Sequence, residues 1–268
     1  MDPLFAIYRS RADKLLAELW AVHLAAGAVA GLLCALLTSL RWWAMPIALV
    51  VACGLAMFWL SIGERRLRSA MVPAGSAVCS PADEPRLANV VDGVCLLVGV
   101  PVPTLAVAPS SAANATAFGR RSDRSTLVVT QGLLDALNRI ELEAVVARLL
   151  TQIRDGRAAY LTTAVTTVGF PALLWPALWP LVQARTEREA STGNDFDDDT
   201  EAVRLTRYPP GLADALETMS RVGVNTSAPQ ATWPLWLADP RAAGARPPDE
   251  LPDYRADLET RVAVLREF

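Results

Sequence analysis

Five acidic side chains fall within seven residues, Asp195, Asp197, Asp198, Asp199 and Glu201, and are the first group in the chain with the types and spacing for chemistry. Carboxylates so placed could gather a hard divalent cation. The same run also reads as a solvated helix start, where negative charge suits the positive end of the macrodipole. A second group is Arg148 and Gln152, four residues apart and so on one face of a helix. Arginine has only donors and stays protonated, so it ligates no cation. The chain has one histidine, His23, and its four cysteines, Cys34, Cys53, Cys79 and Cys95, form no C-x-x-C pair. A histidine-rich zinc site, a zinc knuckle and a disulfide framework are therefore not indicated. With no G-x-S-x-G elbow and no histidine to act as base, a serine or cysteine hydrolase is equally unsupported.

Arg148 and Gln152 need a helix to position them. Asn138 is a good N-cap with Glu141 three residues on, a capping box. Leu142, Val145, Val146, Leu149 and Ile153 then recur at helical spacing as a buried stripe. The helix is expected over residues 138–157.

The same helix carries a family resemblance. Glu141, Leu142, Glu143, Ala144, Val145, Val146 and Ala147 resemble the lead-in to the active-site helix of the HtpX-type membrane zinc peptidases, the group that includes the CAAX prenyl endopeptidases. In that family the helix continues as H-E-x-x-H, two histidines on zinc and a glutamate that activates water. Arg148 takes the position of the first histidine, Leu149 of the glutamate and Gln152 of the second histidine. The acidic run is similar to the family's E-[FY]-x-A-D segment, which puts Asp195 at the third ligand and Asp199 at the orienting aspartate. The resemblance thus implies a vestigial metal site. If the fold is kept, Arg148 is expected to pair with Asp195 or Asp199 and so replace the charge of the metal.

Further matches extend along the chain. Asn114, Ala115, Ala117 and Gly119 match the family's P-N-A-F-A-x-G motif, with Ala113 and Thr116 departing from it. In the family this is a sheet edge that holds substrate, so Asn114, Ala115 and Phe118 mark a candidate peptide edge. A plain small-residue hairpin is the alternative. Residues 204–217 resemble the helix after the third ligand, and 258–268 the closing part. Arg246, Pro247 and Pro248 stand where relatives place H-P-P.

Composition sets the surroundings. The 268 residues are 52% hydrophobic, with a mean hydropathy of +0.27, too apolar for an ordinary soluble domain. The net charge of −3 gives no nucleic-acid signal. Residues 20–40 carry no charged side chain and 44–63 form a second apolar run, each long enough for a hydrocarbon core of roughly 30 Å. A polar-edged leader precedes them, and Arg41, Trp42 and Trp43 form the turn. Arg9, Arg11 and Lys14 before the hairpin and Arg65, Arg66 and Arg68 after it, against Arg41 between, place both ends in the cytoplasm. His23 is either a functional intramembrane group or an interfacial residue partnered by a neighbouring helix.

The expected organisation is a leader with two transmembrane helices over 1–68, a Pro- and Gly-bearing linker over 69–84, and a peptidase-like domain over 85–268. Within the domain, Leu87, Val90, Val91, Val94 and Val98 predict a helix ending at Gly99, and 104–108 and 126–130 predict strands. Residues 158–182 are apolar but carry Pro171, Pro176 and Pro180 and read as a membrane-dipping, re-entrant segment. The fold class is α+β, mostly helical, with a small sheet. The function expected from the resemblance and the missing ligands is an inactive, multi-pass plasma-membrane (inner-membrane) pseudopeptidase with no cofactor. It would act as a structural or regulatory subunit of an assembly that includes other membrane proteins, an active peptidase relative among them. Contact surfaces would be the spans, which face the lipid bilayer, and the Trp-rich stretches 173–179 and 233–236. A metalloendopeptidase with non-standard acidic ligands is the alternative.

Overall fold

The computed structural model describes residues 3–37, 43–72, 77–78, 83–242 and 255–268. Arg41, Trp42, Arg246, Pro247 and Pro248 lie outside the described residues. Helices α1 (Pro3–Leu37) and α2 (Ala44–Met71) form an antiparallel pair, each long and apolar enough to cross a membrane. The leader is not separate from the first span. Residues 3–37 are one continuous helix, since nothing in the polar leader breaks helical geometry where the apolar run begins. The second helix likewise passes Arg65, Arg66 and Arg68 to end at Met71, inside the expected linker. Ala77–Val78 of that linker form a short strand, β1.

The sheet has the order β1-β2-β4-β3, with β2 (Thr104–Ala108) and β4 (Thr126–Thr130) at the expected places and β3 (Ala115–Phe118) between them in sequence. β2 and β4 are parallel and β3 and β1 are antiparallel to their neighbours. Both faces are covered, which explains strands that read as unbroken apolar runs. One face, with Leu105, Val107, Leu127 and Val129, packs on α3 (Pro85–Val98), α5 (Arg139–Arg154) and α10 (Pro209–Val222). The other, with Ala106, Val128 and Phe118, meets Leu67 and Met71 of α2, Tyr8 and Leu15 of α1, and Tyr160, Leu161 and Val165 of α6 (Arg157–Thr167). The feet of the two spans are thereby part of the domain core.

α3 ends as its sequence dictates, on Gly99 at φ 77° with its amide on the Cys95 carbonyl. α4 (Gln131–Ala136) is a short helix capped by Thr130. Residues 158–182 form no single span. α6 stops at Thr167, and Gly169 and Pro171 lead into a single turn, α7 (Phe170–Leu174), before α8 (Trp179–Ala190) returns. The apolar side chains of α6 are buried inside the protein, whereas Leu174, Trp175 and Leu181 are exposed at the tip. The two Trp-rich stretches differ: residues 174–177 are exposed, whereas the indoles at 179, 233 and 236 are largely packed inside the protein. Trp179 and Trp236 are buried, Trp179 and Trp233 pack edge to face at 6.2 Å, and Arg241 covers the Trp233 ring at 4.9 Å. Pairing indole with indole and with a guanidinium keeps their area from water. The helix expected over 204–217 is two helices, α9 (Asp195–Thr206) and α10, because Arg207 turns left-handed and Pro209 and Pro210 start the next. α11 (Leu258–Leu265) closes the chain, capped by Asp257.

α2 is locked to α6 at Gly63, where a Cβ would stand 2.9 Å from the Thr166 carbonyl oxygen and 3.3 Å from the Phe170 ring. Gly63→Leu is expected to force the helices apart at a cost of about 1–3 kcal/mol, read as a lowered melting temperature in detergent. Gly54→Leu, on the same helix with nothing within 4 Å of its added Cβ, should leave it unchanged.

Candidate functional site: a buried arginine–aspartate cluster

The helix that carries Arg148 starts on the expected capping box. Asn138 accepts from the Ile140 and Glu141 amides, and Glu141 accepts the Asn138 amide at 2.8 Å. Its register turns Arg148, Leu149 and Gln152 inward, all three buried. Opposite lies the first turn of α9, fixed by Asn194 accepting the Asp197 amide at 2.8 Å. Asp195 and Asp199, one turn apart, face α5, and Asp197 points to solvent.

The structure brings these groups into one cluster. Arg148 Nε donates to Asp199 Oδ1 at 2.7 Å and Nη2 to Asp195 Oδ1 at 2.9 Å, with Asp198 Oδ2 at 3.3 Å from Nη2. Gln152 donates its amide to Asp198. Arg157, at the start of α6, reaches Asp198 at 2.7 Å and donates to the carbonyls of Gly193 and Asn194. From the C-terminal end of the chain, Arg261 forks onto Asp199 at 2.7 and 2.8 Å, and Arg255 meets Asp195 at 3.3 Å. Arg148 is 1% exposed and Asp195 and Asp199 are each 2% exposed, so the pairs are cut off from solvent. Glu201 lies outside this centre, paired with Arg154.

Burial alone would raise the Asp195 carboxyl pKa, but the guanidiniums of Arg255, Arg261, Arg148 and Arg157 outweigh it and hold it down to about 2. Burial works against the Arg261 cation too, and Asp199 with Asp195 outweighs it and raises its pKa. Charged forms on both sides are thus mutually enforced.

The donor set does not fit a zinc ion. At the three helix positions the residues present a guanidinium, an isobutyl group and an amide, and the guanidinium occupies the oxygens of Asp195 and Asp199 that would face a metal. Leu149 is fully buried in the main apolar core, and its own hydrocarbon side chain has no atom to take a proton from water. Among the described residues no group of three His, Cys, Asp or Glu side chains is arranged to hold a metal ion. His23 lies on α1, its Nδ1 2.8 Å from the Leu19 carbonyl and its ring edge-on to Trp59 of α2.

The candidate peptide edge at Asn114, Ala115 and Phe118 is packed inside the chain in this structure. All three are buried, and the outer side of β3 is paired at Ala115 and Thr116 by the chain itself. Leu237 donates its amide to the Ala115 carbonyl at 2.8 Å, Thr116 bridges Trp236, and the Thr116 hydroxyl donates to the Leu235 carbonyl. Asn114 is the clasp: its side chain donates to the Val224 and Ala238 carbonyls and accepts the Ala115 and Ala238 amides. The pairing segment is tied back to the cluster, since Arg255 donates to the Trp233 and Trp236 carbonyls and Arg261 to that of Leu237. Asp198 belongs to the acidic run already singled out, whereas Arg157, Arg255 and Arg261 had no motif to mark them.

Comparison with known proteins gives the family. A protein named Protease HtpX homolog from Dictyoglomus thermophilum is 30% identical over 222 residues, covering 71% of this chain and 72% of its own. One from Salinibacter ruber is 27% identical over 215 residues, covering 72% and 78%. One from Gemmatimonas aurantiaca is 38% identical over 125 residues, covering 46% and 43%. No family model and no solved structure matches. The chain belongs to the HtpX protease family and is a membrane protein of metallopeptidase-like type.

Two outcomes follow for the cluster. Arg148→Ala would leave buried carboxylates short of a partner and is expected to cost about 3–5 kcal/mol, measured by denaturation in detergent. The second concerns pH. Asp195 has a folded-state pKa of about 2, below its unfolded value of roughly 3.9, so it contributes about 2 kcal/mol of stability above pH 4. That contribution disappears as pH falls from about 4 to 2, and Asp195→Asn should lack this acid-side slope.

Proposed function

We propose that this chain is a pseudopeptidase: a membrane-embedded member of the HtpX family that no longer hydrolyses peptides and acts by binding, as a structural or regulatory subunit of a membrane protein assembly. The observation that carries this reading is the Arg148 guanidinium, held between Asp195 and Asp199 at the position the family resemblance assigns to the first zinc-ligating histidine. A guanidinium has no lone pair to offer a metal. Leu149, at the position of the water-activating glutamate, has no basic atom. The relatives' printed name, protease, is therefore carried over for the fold and not for the reaction. The arginine distribution on α1 and α2 supports a domain facing the cytoplasm of a bacterial inner membrane, with two or more passes. An active peptidase relative is one partner that this chain would fit by shared architecture.

A metallopeptidase using the acidic run has less support. Asp195, Asp198 and Asp199 each accept from guanidiniums, and Asp197 points away to solvent. A cation would have to displace an arginine to enter.

The test is zinc content of the detergent-purified protein by elemental mass spectrometry. Near-zero zinc is expected, with zinc gained in the triple variant Arg148→His/Leu149→Glu/Gln152→His. Stoichiometric zinc in the natural chain, lost in Asp195→Ala, would sink the reading. Purification from native membranes under mild conditions addresses the subunit role, and a monomer at every condition would count against it.

A further inference from the structure

A cavity of about 650 Å³ lies between the first turns of α1, the loop after β3 and the junction of α5 with α6. Its volume is that of a small-ligand site. The walls are apolar, with Phe5, Leu16 and Ile153, and the cationic lining consists of Arg9, Arg120 and Arg121. Two carboxylates also line it. Asp123 is neutralised by a two-pronged bond from Arg121 at 2.8 and 2.9 Å, and Asp13 makes no ion pair among the described residues.

Arg120 is the undercompensated charge. One Nη2 bond to Thr166 Oγ1 at 3.0 Å is its only side-chain bond among the described residues, and its Nε is buried without an acceptor. Burial pushes its pKa down, opposed only by the more distant Glu64. Arg9 is exposed at the cavity and makes no ion pair among the described residues.

Position identifies the kind of ligand. Thr166, the partner of Arg120, abuts Gly63 at the foot of α2. Just above it the exposed side chains are those of Phe58 and Leu55, and just below it α2 turns to Glu64, Arg65 and Arg66. On α1 the closely spaced exposed apolar side chains of the span start at Val22, with Leu4 and Ile7 exposed nearer the N-terminus, and Leu16 is less than two turns below Val22. Arg120 therefore sits where hydrocarbon gives way to headgroups, with an apolar wall leading down from that level.

We infer that this cavity binds a phosphate ester through Arg120 and Arg9, and that an anionic phospholipid of the bilayer supplies it. Guanidinium matches phosphate geometry and charge, and the anionic leaflet offers the ligand at high local concentration. The occupant would fix the feet of both spans against the domain. The inference does not depend on whether the chain is a peptidase.

The full chain is delipidated in detergent and titrated with phosphatidylglycerol, with phosphatidylcholine and with inorganic phosphate, and binding is read by native mass spectrometry and by thermal shift. Preference for phosphatidylglycerol over phosphatidylcholine of about tenfold or more is expected, matching one charge-assisted contact. Arg120→Gln and Arg9→Gln should each remove most of that preference, and Asp13→Asn should strengthen it. Because Arg9 and Asp13 are exposed, these two variants report on binding even if Arg120→Gln fails to fold. Equal binding of the two lipids, or a preference untouched by the Arg9 and Asp13 changes, would overturn the site. A thermal shift with phosphate alone equal to that with phosphatidylglycerol would overturn the lipid as its source.

Discussion

A charge buried among apolar side chains must be answered within the protein, and the position of Arg148 makes that demand on the whole domain. Moving one ion from water to a protein interior costs several kcal/mol even after relaxation. Here the answer comes from distant segments. Asp195 and Asp199 lie 47 and 51 residues from Arg148 in sequence, and Arg261 is a further 62 residues beyond Asp199. Each acid is shared by at least two guanidiniums, so no pair can be loosened without stranding another. α5, α9 and the C-terminal helix are thereby held in one arrangement.

This cross-linking extends to the sheet and the membrane. Arg255 and Arg261 spend their remaining donors on the carbonyls of Trp233, Trp236 and Leu237, and that segment closes the edge of β3. An exposed strand edge is a ready template for another chain, and Asn114 seals it with both faces of its amide in use. On the opposite side of the sheet the feet of α1 and α2 share a core with α6. The spans are a continuation of the domain rather than a tether to it.

Local signals gave the sequence most of its legibility. The capping box at Asn138, the Gly99 stop and the bounds of β2 and β4 are all decided within a few residues, and each was readable. Boundaries between environments were not. The leader and first span look different in polarity, yet helical hydrogen bonding does not register that change, and one helix runs through both. Indoles at 179, 233 and 236 read as sticky surface because composition cannot say that two of them face each other and a third is covered by β3. Arg157, Arg255 and Arg261 share the site with residues the resemblance had marked, but their roles depend on approaches across 36 to 62 residues. Nothing in a window of sequence encodes those distances. The pairing of Arg148 could be anticipated only because a family pattern had already put the acidic run beside its helix.

A catalytic zinc centre and this cluster both knit helices through a central positive charge, but they differ in what they leave over. A metal held by three protein ligands keeps a coordination position for water or substrate. The Arg148 fork is directional, and its Nε and Nη2 donors are taken up by Asp199 and Asp195. The surrounding acids are in turn saturated by Arg157, Arg255 and Arg261. Such a centre holds three helices together through charge, with the named donors and acceptors already paired. Apolar side chains are left exposed elsewhere, on α1 and α2 and at the tip carrying Leu174 and Trp175.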